Sequence, residues 1–543
     1  MTLPAASPAS VSLWPGCRRL LGFLGFGSLW VRWLACAAVL ACAAPLAHAG
    51  SSEAEAVHVL QRLAYGPAPG DIARVMAMGV DAYIDAQLHP QGLAMPPDLQ
   101  ARLDALDTLA ASQSELVAQF REAAAQAKAE RGTDVNADAA QRKDLQQRLR
   151  TEAAQARLWR AVASPRQLEE VMVDFWFNHF NVFEGKGLDR ALVANYEREA
   201  IRPHALGRFR DLLGATAHHP AMLFYLDNWL SQGPGTAPGR PGAKGGKGLN
   251  ENFARELMEL HTLGVDGGYT QSDVTELARI LTGWTLAPEA PRQPLPPRRA
   301  RQLAEWRDAS QRTSRPALPQ GSAFLFEPAR HDTGDKVWLG RTVGARGQEE
   351  GEWALDVLAA HPATARHIAL QLAQQFVSES PPPELVQALA RRFTETDGDI
   401  RAVLDTLFHS PAFRDPAIRG RLFKTPYRYV VSSLRATGWP LDDVRPVMGA
   451  LQQLGMPLYG RQTPDGYPLD AATWLSPDAL TRRLQLATAW ASGRPFKAPP
   501  VDDGALLQTW GGVVSPATRA KVVHAEPAMR AAMVLGSPDA MWH

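Results

Sequence analysis

The stretch between Asn250 and Gly264 carries polar residues that could do chemistry if they face a cleft. Asn250 is a good N-cap, Gly264 is a good C-cap, and the apolar spacing between them predicts one short helix. At about 100° per residue, one arc of about 140° collects six polar residues. These are Glu251, Asn252, Arg255, Glu256, Glu259 and Thr262. His261 falls on the opposite, apolar face.

Two interpretations of this polar face are open. In the first, Glu251, Arg255 and Glu259 form i,i+4 pairs on a solvated face, each worth roughly 0.2–0.5 kcal/mol. In the second, Glu256 and Glu259 face a cleft one helical turn apart, one protonated and one ionised, with Arg255 holding the ionised partner. Such a pair could serve acid/base catalysis or bind a cation.

Two further stretches offer polar residues in unusual settings. Five aromatic residues within 175–183 predict a buried core, so Asn178 and His179 in that run need hydrogen-bond partners or a cavity. The second stretch is a polar turn. Its candidate residues are His331, Asp332 and Lys336.

These residues divide into two predicted groups. The predicted catalytic residues are Glu256, Glu259, Arg255, His179, His331 and Asp332. The predicted substrate-binding residues are Asn178, Asn250, Glu251, Asn252 and Lys336. The histidines would supply or orient a base, or the carboxylates would bind a hard divalent cation such as Ca²⁺ or Mg²⁺ together with His331 and Asp332. No HExxH or comparable zinc spacing occurs, so the metal and any cofactor stay unknown.

The first 49 residues differ from the rest in charge and hydropathy. They contain three arginines, no acidic residue, and an apolar run over 33–46 that leads to Ala47-His48-Ala49. That pattern predicts a signal peptide cleaved near Ala49-Gly50 and a mature protein in the periplasm or outside the cell. The route, general secretion or twin-arginine export, stays open.

Removal of this leader narrows the possible functions. All three cysteines lie within it, so the predicted mature chain has no disulfide, cysteine-based metal site or catalytic thiol. The formal charge falls from +1 to −2 with the loss of three arginines, which leaves no basic surface for nucleic acid. No other apolar run reaches the ~18 residues of a transmembrane helix.

Helical spacing dominates residues 50–543, and strand-like runs are nearly absent. We predict a mainly α fold, a multi-helix globular bundle in a single large domain. Residues 98–162 are rich in helix formers and predict an antiparallel pair of long helices. The predicted β-structure is at most a short hairpin near 324–340.

Two segments predict insertions rather than parts of the bundle. Residues 232–248 are rich in glycine and proline and lack the GxxxxGK[ST] spacing, which favours a flexible surface loop over a phosphate-binding loop. Residues 286–321 are rich in proline and arginine and have no apolar period, which predicts a mostly disordered segment.

Several of these stretches together resemble the bacterial family called domain of unknown function 1800 (DUF1800). The matching blocks occur in the family's order. They are His58-x-Leu60-x-Arg62-x-x-Tyr65-Gly66-Pro67, Phe175-Trp176-x-Asn178-His179-Phe180, Asn250-Glu251-Asn252-x-Ala254-Arg255-Glu256-x-x-Glu259-Leu260, Thr282-Gly283-Trp284, His331-Asp332-x-Gly334-x-Lys336-x-x-Leu339-Gly340 and Trp474-Leu475-Ser476. The resemblance implies an exported, largely helical protein, often encoded beside a second exported family, domain of unknown function 1501 (DUF1501), which looks related to sulfatases and alkaline phosphatases.

The family supplies no agreed activity, so two hypotheses stay open. The first is a carboxylate-based hydrolase or lyase that acts on an extracellular polymer such as a polysaccharide. The second is a non-catalytic helical scaffold or partner of a DUF1501-type protein, in which the carboxylate–arginine helix fixes helix packing. Whether the protein is an enzyme, its substrate and its oligomeric state are not determined by the sequence.

Overall fold

Capping residues and prolines divide the chain into many helices. The computed structural model describes residues 51–129, 135–234, 248–287 and 295–543. Ser52 and Thr270 form capping boxes in which their side chains accept a hydrogen bond from the third helical N–H. Pro477 stands in the first turn of its helix, where its missing N–H costs nothing.

Helices make up most of the described chain, and the mainly α prediction is confirmed. In the N-terminal half they are α1 (Glu53–Leu63), α2 (Asp71–Met78), α3 (Val80–Leu88), α4 (Pro97–Asp104), α5 (Asp107–Ala110), α6 (Gln113–Ala129), α7 (Val135–Ala163), α8 (Gln167–His179), α9 (Asp189–Tyr196), α10 (Phe209–His218), α11 (Pro220–Tyr225), α12 (Asn252–Glu259) and α13 (Gln271–Ile280). In the C-terminal half they are α14 (Pro297–Thr313), α15 (Gln348–Ala359), α16 (Pro362–Phe376), α17 (Pro383–Glu395), α18 (Ile400–Phe408), α19 (Pro411–Arg414), α20 (Pro426–Thr437), α21 (Arg445–Gln453), α22 (Ala471–Trp474), α23 (Pro477–Ala491), α24 (Asp503–Trp510), α25 (Pro516–Val523), α26 (Pro527–Leu535) and α27 (Pro538–Met541).

Residues Ser51–His543 form one compact unit. The predicted pair of long helices corresponds to α6 and α7, which pack against each other. Helix α8 carries the aromatic run and is buried on most of its surface, with Trp176 fully buried. Among the described residues, no helix is both long enough and apolar enough to cross a bilayer.

Four short strands form two separate two-stranded antiparallel sheets in the described chain. Strand β1 (Trp284–Leu286) pairs with β2 (Phe324–Phe326), and β3 (Lys336–Trp338) pairs with β4 (Arg341–Val343). The predicted hairpin near 324–340 therefore has the wrong pairing. Strand β2 is buried along its whole length and pairs with the equally buried β1, whereas β3 exposes its central valine and pairs locally.

The prediction of disorder over 286–321 is wrong for residues 297–313, which form α14. A proline starts this helix, and arginine, glutamine, alanine and glutamate favour helix even without an apolar stripe. The buried Ser310 ties it to the fold, because its Oγ accepts a hydrogen bond from the N–H of Phe326 at 3.0 Å. Residues 235–247 of the predicted loop at 232–248 lie outside the described residues.

Candidate functional site

A cavity of about 400 Å³ lies where the end of α8, the end of α12, helix α16 and the loop 456–470 meet. Polar side chains line much of it. They are Asp174, Asn178, His179, Glu259, His367, Gln371, Gln374, Gln375, Glu379, Thr425, Arg428, Asp465, Asp470 and His543. The aromatic rings of Phe175, Phe423 and Tyr467 also line it. Of the predicted site residues, Asn178, His179 and Glu259 face this cavity.

The two glutamates of α12 are half-buried and lie one turn apart. The hydroxyl of Tyr269 lies 3.4 Å from Oε2 of Glu259. Burial, and then the neighbouring Glu259 and Asp465, raise the pKa of Glu256, and Arg255 only partly opposes this effect. Among the described residues, neither glutamate makes an ion pair with an arginine or lysine within 4.0 Å. Glu256, whose pKa is raised, thus lies one helical turn from Glu259, which lines the cavity.

Arg255 does not hold the ionised member of this pair. Its Nη2 lies 3.5 Å from Oε2 of Glu251 and donates to Oε1 of Gln271 at 2.8 Å. Glu251 in turn accepts hydrogen bonds from Gln271 at 2.8 Å and from Thr275 at 2.7 Å. Glu251 and Arg255 therefore connect α12 to α13 and do not line the cavity.

The predicted cap of α12 is formed in a modified way. Asn250 Oδ1 accepts from the N–H of Asn252 at 2.9 Å, and Asn250 Nδ2 donates to the carbonyl oxygen of Asp227 at 3.0 Å. The helix ends at Glu259, earlier than the predicted end at the glycine, where the backbone turns with a φ of +83° at Gly264. Asn250 and Asn252 thus fix the start of the helix, and neither lines the cavity.

Three histidines lie together at the cavity: His179 and His367 line it, and His261 packs behind them. The ring centroids of His179 and His261 are 6.1 Å apart, and those of His179 and His367 are 6.2 Å apart. Burial is the largest cause that lowers the pKa of each ring, to about 3 for His261. These rings are neutral at pH 7 and can accept or donate hydrogen bonds without a charge.

The prediction that His261 belongs to the packed side of its helix is confirmed, because it is 1% exposed. Its carbonyl oxygen lies 3.1 Å from Nε2 of His179, which fixes the orientation of that ring. The described residues contain no group of three or more histidines or carboxylates arranged to hold a metal ion.

His331, Asp332 and Lys336 lie in a different, closed network. Nε2 of His331 is 3.0 Å from Oε1 of Glu350, and Nζ of Lys336 is 2.7 Å from its Oε2. Asp332 pairs with Arg279 at 2.6 Å. His331, Lys336 and Glu350 are at most 4% exposed, and none of the network lines the cavity. The structure therefore does not bring these residues together with Glu256, Glu259 and His179.

Asn178 fixes the position of the loop 456–470, which forms part of the cavity wall. Its Nδ2 donates to the carbonyl oxygen of Tyr467 at 2.9 Å, and its Oδ1 accepts from the N–H of Tyr467 at 2.7 Å. Gly466 has a φ of +70°, and a Cβ there would lie 2.2 Å from the carbonyl oxygen of Asn178. The close approach of this loop to α8 therefore requires glycine.

Most of the polar residues that reach the cavity from other elements were not predicted from the sequence. Examples are His367, Gln371, Asp465 and Asp470. Asp174 also lines the cavity, and it forms an ion pair with Arg157. Spacing within one helix cannot indicate such residues, because they reach the cavity from distant segments.

Comparison with known proteins gives one match. A family model described as a protein of unknown function (DUF1800) matches residues 58–542, nearly the whole chain. No curated protein and no solved structure matches the chain. The matched span contains α8, α12, α16 and the loop 456–470, which are the elements that form the cavity.

Proposed function

We propose that this chain, which belongs to the DUF1800 family, is an exported carboxylate-based hydrolase or lyase that acts on an extracellular polymer, with polysaccharide as the favoured class. The observation that carries the proposal is the pair Glu256 and Glu259. These carboxyls are one turn apart and make no ion pair among the described residues, and Glu259 lines a cavity that also presents His179. A carboxyl with a raised pKa beside a second carboxyl is an arrangement that acid/base catalysis can use.

In this proposal the two carboxyls have different roles. Glu256 does not line the cavity itself but lies one turn from Glu259, and in this proposal it donates a proton to the leaving oxygen of a substrate that extends past Glu259. Glu259, which lines the cavity, acts as the base or nucleophile. Neutral His179 orients the substrate by hydrogen bonding, because its low pKa makes it a weak base.

The lining of the cavity supports a polyhydroxylated substrate. Amide side chains of α16, such as Gln371 and Gln374, can donate to and accept from sugar hydroxyls. Tyr467 offers a ring surface on which a sugar ring can stack. The leader sequence supports export, which would place this cavity where extracellular polymers are found.

The test is a screen of the purified protein against soluble polysaccharides. New reducing ends would report hydrolysis, and ultraviolet absorbance of unsaturated ends would report a lyase. Glu256→Gln and Glu259→Gln should each lower kcat by about 10²–10⁴-fold. Glu395→Gln, at the exposed end of α17, is the matched control and should retain full activity. Full activity in both glutamate variants would exclude the proposed roles.

The alternative is a non-catalytic exported partner of a DUF1501-type protein. The observation that favours it is that two acids predicted for the site are engaged structurally, Glu251 with α13 and Asp332 with Arg279. In that case no polymer in the screen would be cleaved, and the protein would co-elute with its DUF1501-type partner. Glu259→Gln would leave that complex unchanged if the cavity has no part in it.

A further inference from the structure

Four cationic side chains are buried together beside the cavity. They are Arg62, Lys424, Arg428 and Arg483, each at most 6% exposed. Among the described residues, no carboxylate lies within 4.0 Å of any of these four charges. Asp174 influences Arg428 but makes its own ion pair with Arg157. The cluster therefore has no direct counterion in the described chain.

The hydrogen bonds of these cations go to neutral oxygens. Arg428 donates to three main-chain carbonyl oxygens at 2.5–3.0 Å, and Arg62 and Arg483 each donate to one at 2.7 Å. Nζ of Lys424 donates to the hydroxyl of Ser432 at 3.2 Å. Four buried nitrogens have no partner. They are Nε and Nη1 of Arg62, Nε of Arg428 and Nη1 of Arg483.

This arrangement is unfavourable on its own. A buried charge without a counterion is destabilising, and here like charges also repel one another. Burial, and then Arg428 and Arg483, lower the pKa of Lys424 to about 7. The guanidinium of Arg483 lies 4.4 Å from the ring centroid of Phe423, a contact that offsets part of the cost. The electrostatics favour a negative charge next to this cluster.

The cluster reaches the cavity through two residues. Arg428 and His543 both line it, and both are 6% exposed. Nδ1 of His543 is a further buried nitrogen without a hydrogen-bond partner. Arg428, Arg62 and Lys424 all act on the His543 ring, which places that ring within the field of the cluster. Carboxylates such as Glu259 also line the cavity, so cationic and acidic side chains both reach it.

We propose that the Arg428–His543 side of the cavity binds an oxyanion group of the ligand, a carboxylate or a sulfate carried on a sugar. Arg428 and His543 would contact the anion, and Lys424, Arg483 and Arg62 would stabilise it from behind. Carboxylates that line the cavity, such as Glu259, would accept hydrogen bonds from the hydroxyls of the same ligand. As an assignment of substrate class, an acidic polysaccharide, this site rests on the proposed function, but its anion affinity requires no catalysis.

Calorimetric titration of the purified protein tests whether the cavity prefers a carboxylate, a sulfate or neither. The probes are glucuronic acid, glucose 6-sulfate and glucose, which share a ring and differ in charge. We expect at least one acidic probe to bind ten-fold or more tightly than glucose, and the stronger one identifies the oxyanion. Equal affinity for glucose and both acidic probes would overturn the assignment. If the purified protein binds an acidic probe but cleaves no polymer in the screen, the proposed enzyme activity is wrong and the anion site still stands.

Lys424→Met tests the cluster at nearly constant side-chain volume. We expect it to reduce the preference for the acidic probe by about ten-fold while the protein stays folded. The matched control is Lys521→Met, an exposed lysine on α25, which should change nothing. His543→Ala is a second variant that removes the ring with the unpartnered Nδ1 without altering a buried cation. An unchanged preference for the acidic probe in both Lys424→Met and His543→Ala would show that the cations are purely structural.

Discussion

Two carboxylate regions of the molecule contain similar residues and have opposite surroundings. Glu350 accepts hydrogen bonds from His331, Lys336 and the N–H of Arg346, and these donors lower its pKa despite burial. Glu256 has no such donors, and burial raises its pKa. Each carboxylate shares its region with a histidine, so residue type does not distinguish them. The number of donors around a carboxylate decides whether it is part of the framework or available for chemistry.

The largest effect is expected when Glu350, the carboxylate that is surrounded by donors, is replaced. Glu350→Gln leaves Lys336, which is 1% exposed, without its counterion. We expect a loss of about 3–5 kcal/mol in the free energy of unfolding, measured by urea denaturation. The neighbouring Glu349→Gln, on the exposed face of α15, should change it by less than about 0.5 kcal/mol. A similar loss in both variants would contradict the role of the network.

Lys424 is the converse case, because it is a buried cation without a carboxylate partner among the described residues. Its pKa of about 7 lies below the unfolded value, so the unfolded state binds more protons between pH 7 and about 10. Wild-type stability should therefore rise with pH across this window. Lys424→Met should be more stable than wild type by on the order of a few kcal/mol at pH 7, and the gap should shrink towards pH 10. A gap that does not depend on pH would contradict the buried charge.

Gly466→Ala tests the wall that faces α12 across the cavity. The new Cβ would clash with the carbonyl oxygen of Asn178, and the φ of +70° disfavours alanine. We expect the free energy of unfolding to fall by about 1–3 kcal/mol and the affinity for any ligand of the cavity to fall as well. Gly420→Ala is a useful control, because it also has a positive φ but meets no atom within 4 Å. Equal losses in the two variants would show that the contact with Asn178 contributes nothing.

The smallest expected effect concerns the open carboxylate itself. The raised pKa of Glu256 means that its ionisation slightly opposes folding at pH 7 and that this cost disappears below its unfolded pKa. Glu256→Gln should therefore change the free energy of unfolding by no more than about 0.5 kcal/mol at pH 7, in the stabilising direction. A loss as large as that of Glu350→Gln would move Glu256 into the framework.

The sequence predicted the parts of the site that lie on single elements. The polar face of α12 follows from the spacing of Glu256 and Glu259, and the packed position of His261 follows from the same period. The mainly α fold follows from composition and from the capping residues. Family blocks were recognisable because they combine rare residues in a fixed order.

The remaining features depend on contacts between distant segments. Spacing could not show that His331 would find Glu350 rather than Glu256, because the partner is chosen by tertiary packing. The same limit hid His367 and Asp470 from the predicted site. Helix α14 was missed because its propensity, not an apolar period, is the local signal.

The most direct test of the open carboxylate pair is an NMR titration of the glutamate side-chain carbons, with Glu256 assigned by its loss in Glu256→Gln. We expect the pKa of Glu256 to lie above the ordinary glutamate value of about 4.3 and to fall when Glu259→Gln removes the neighbouring carboxyl. A pKa at or below about 4.3 that does not respond to Glu259→Gln would contradict it.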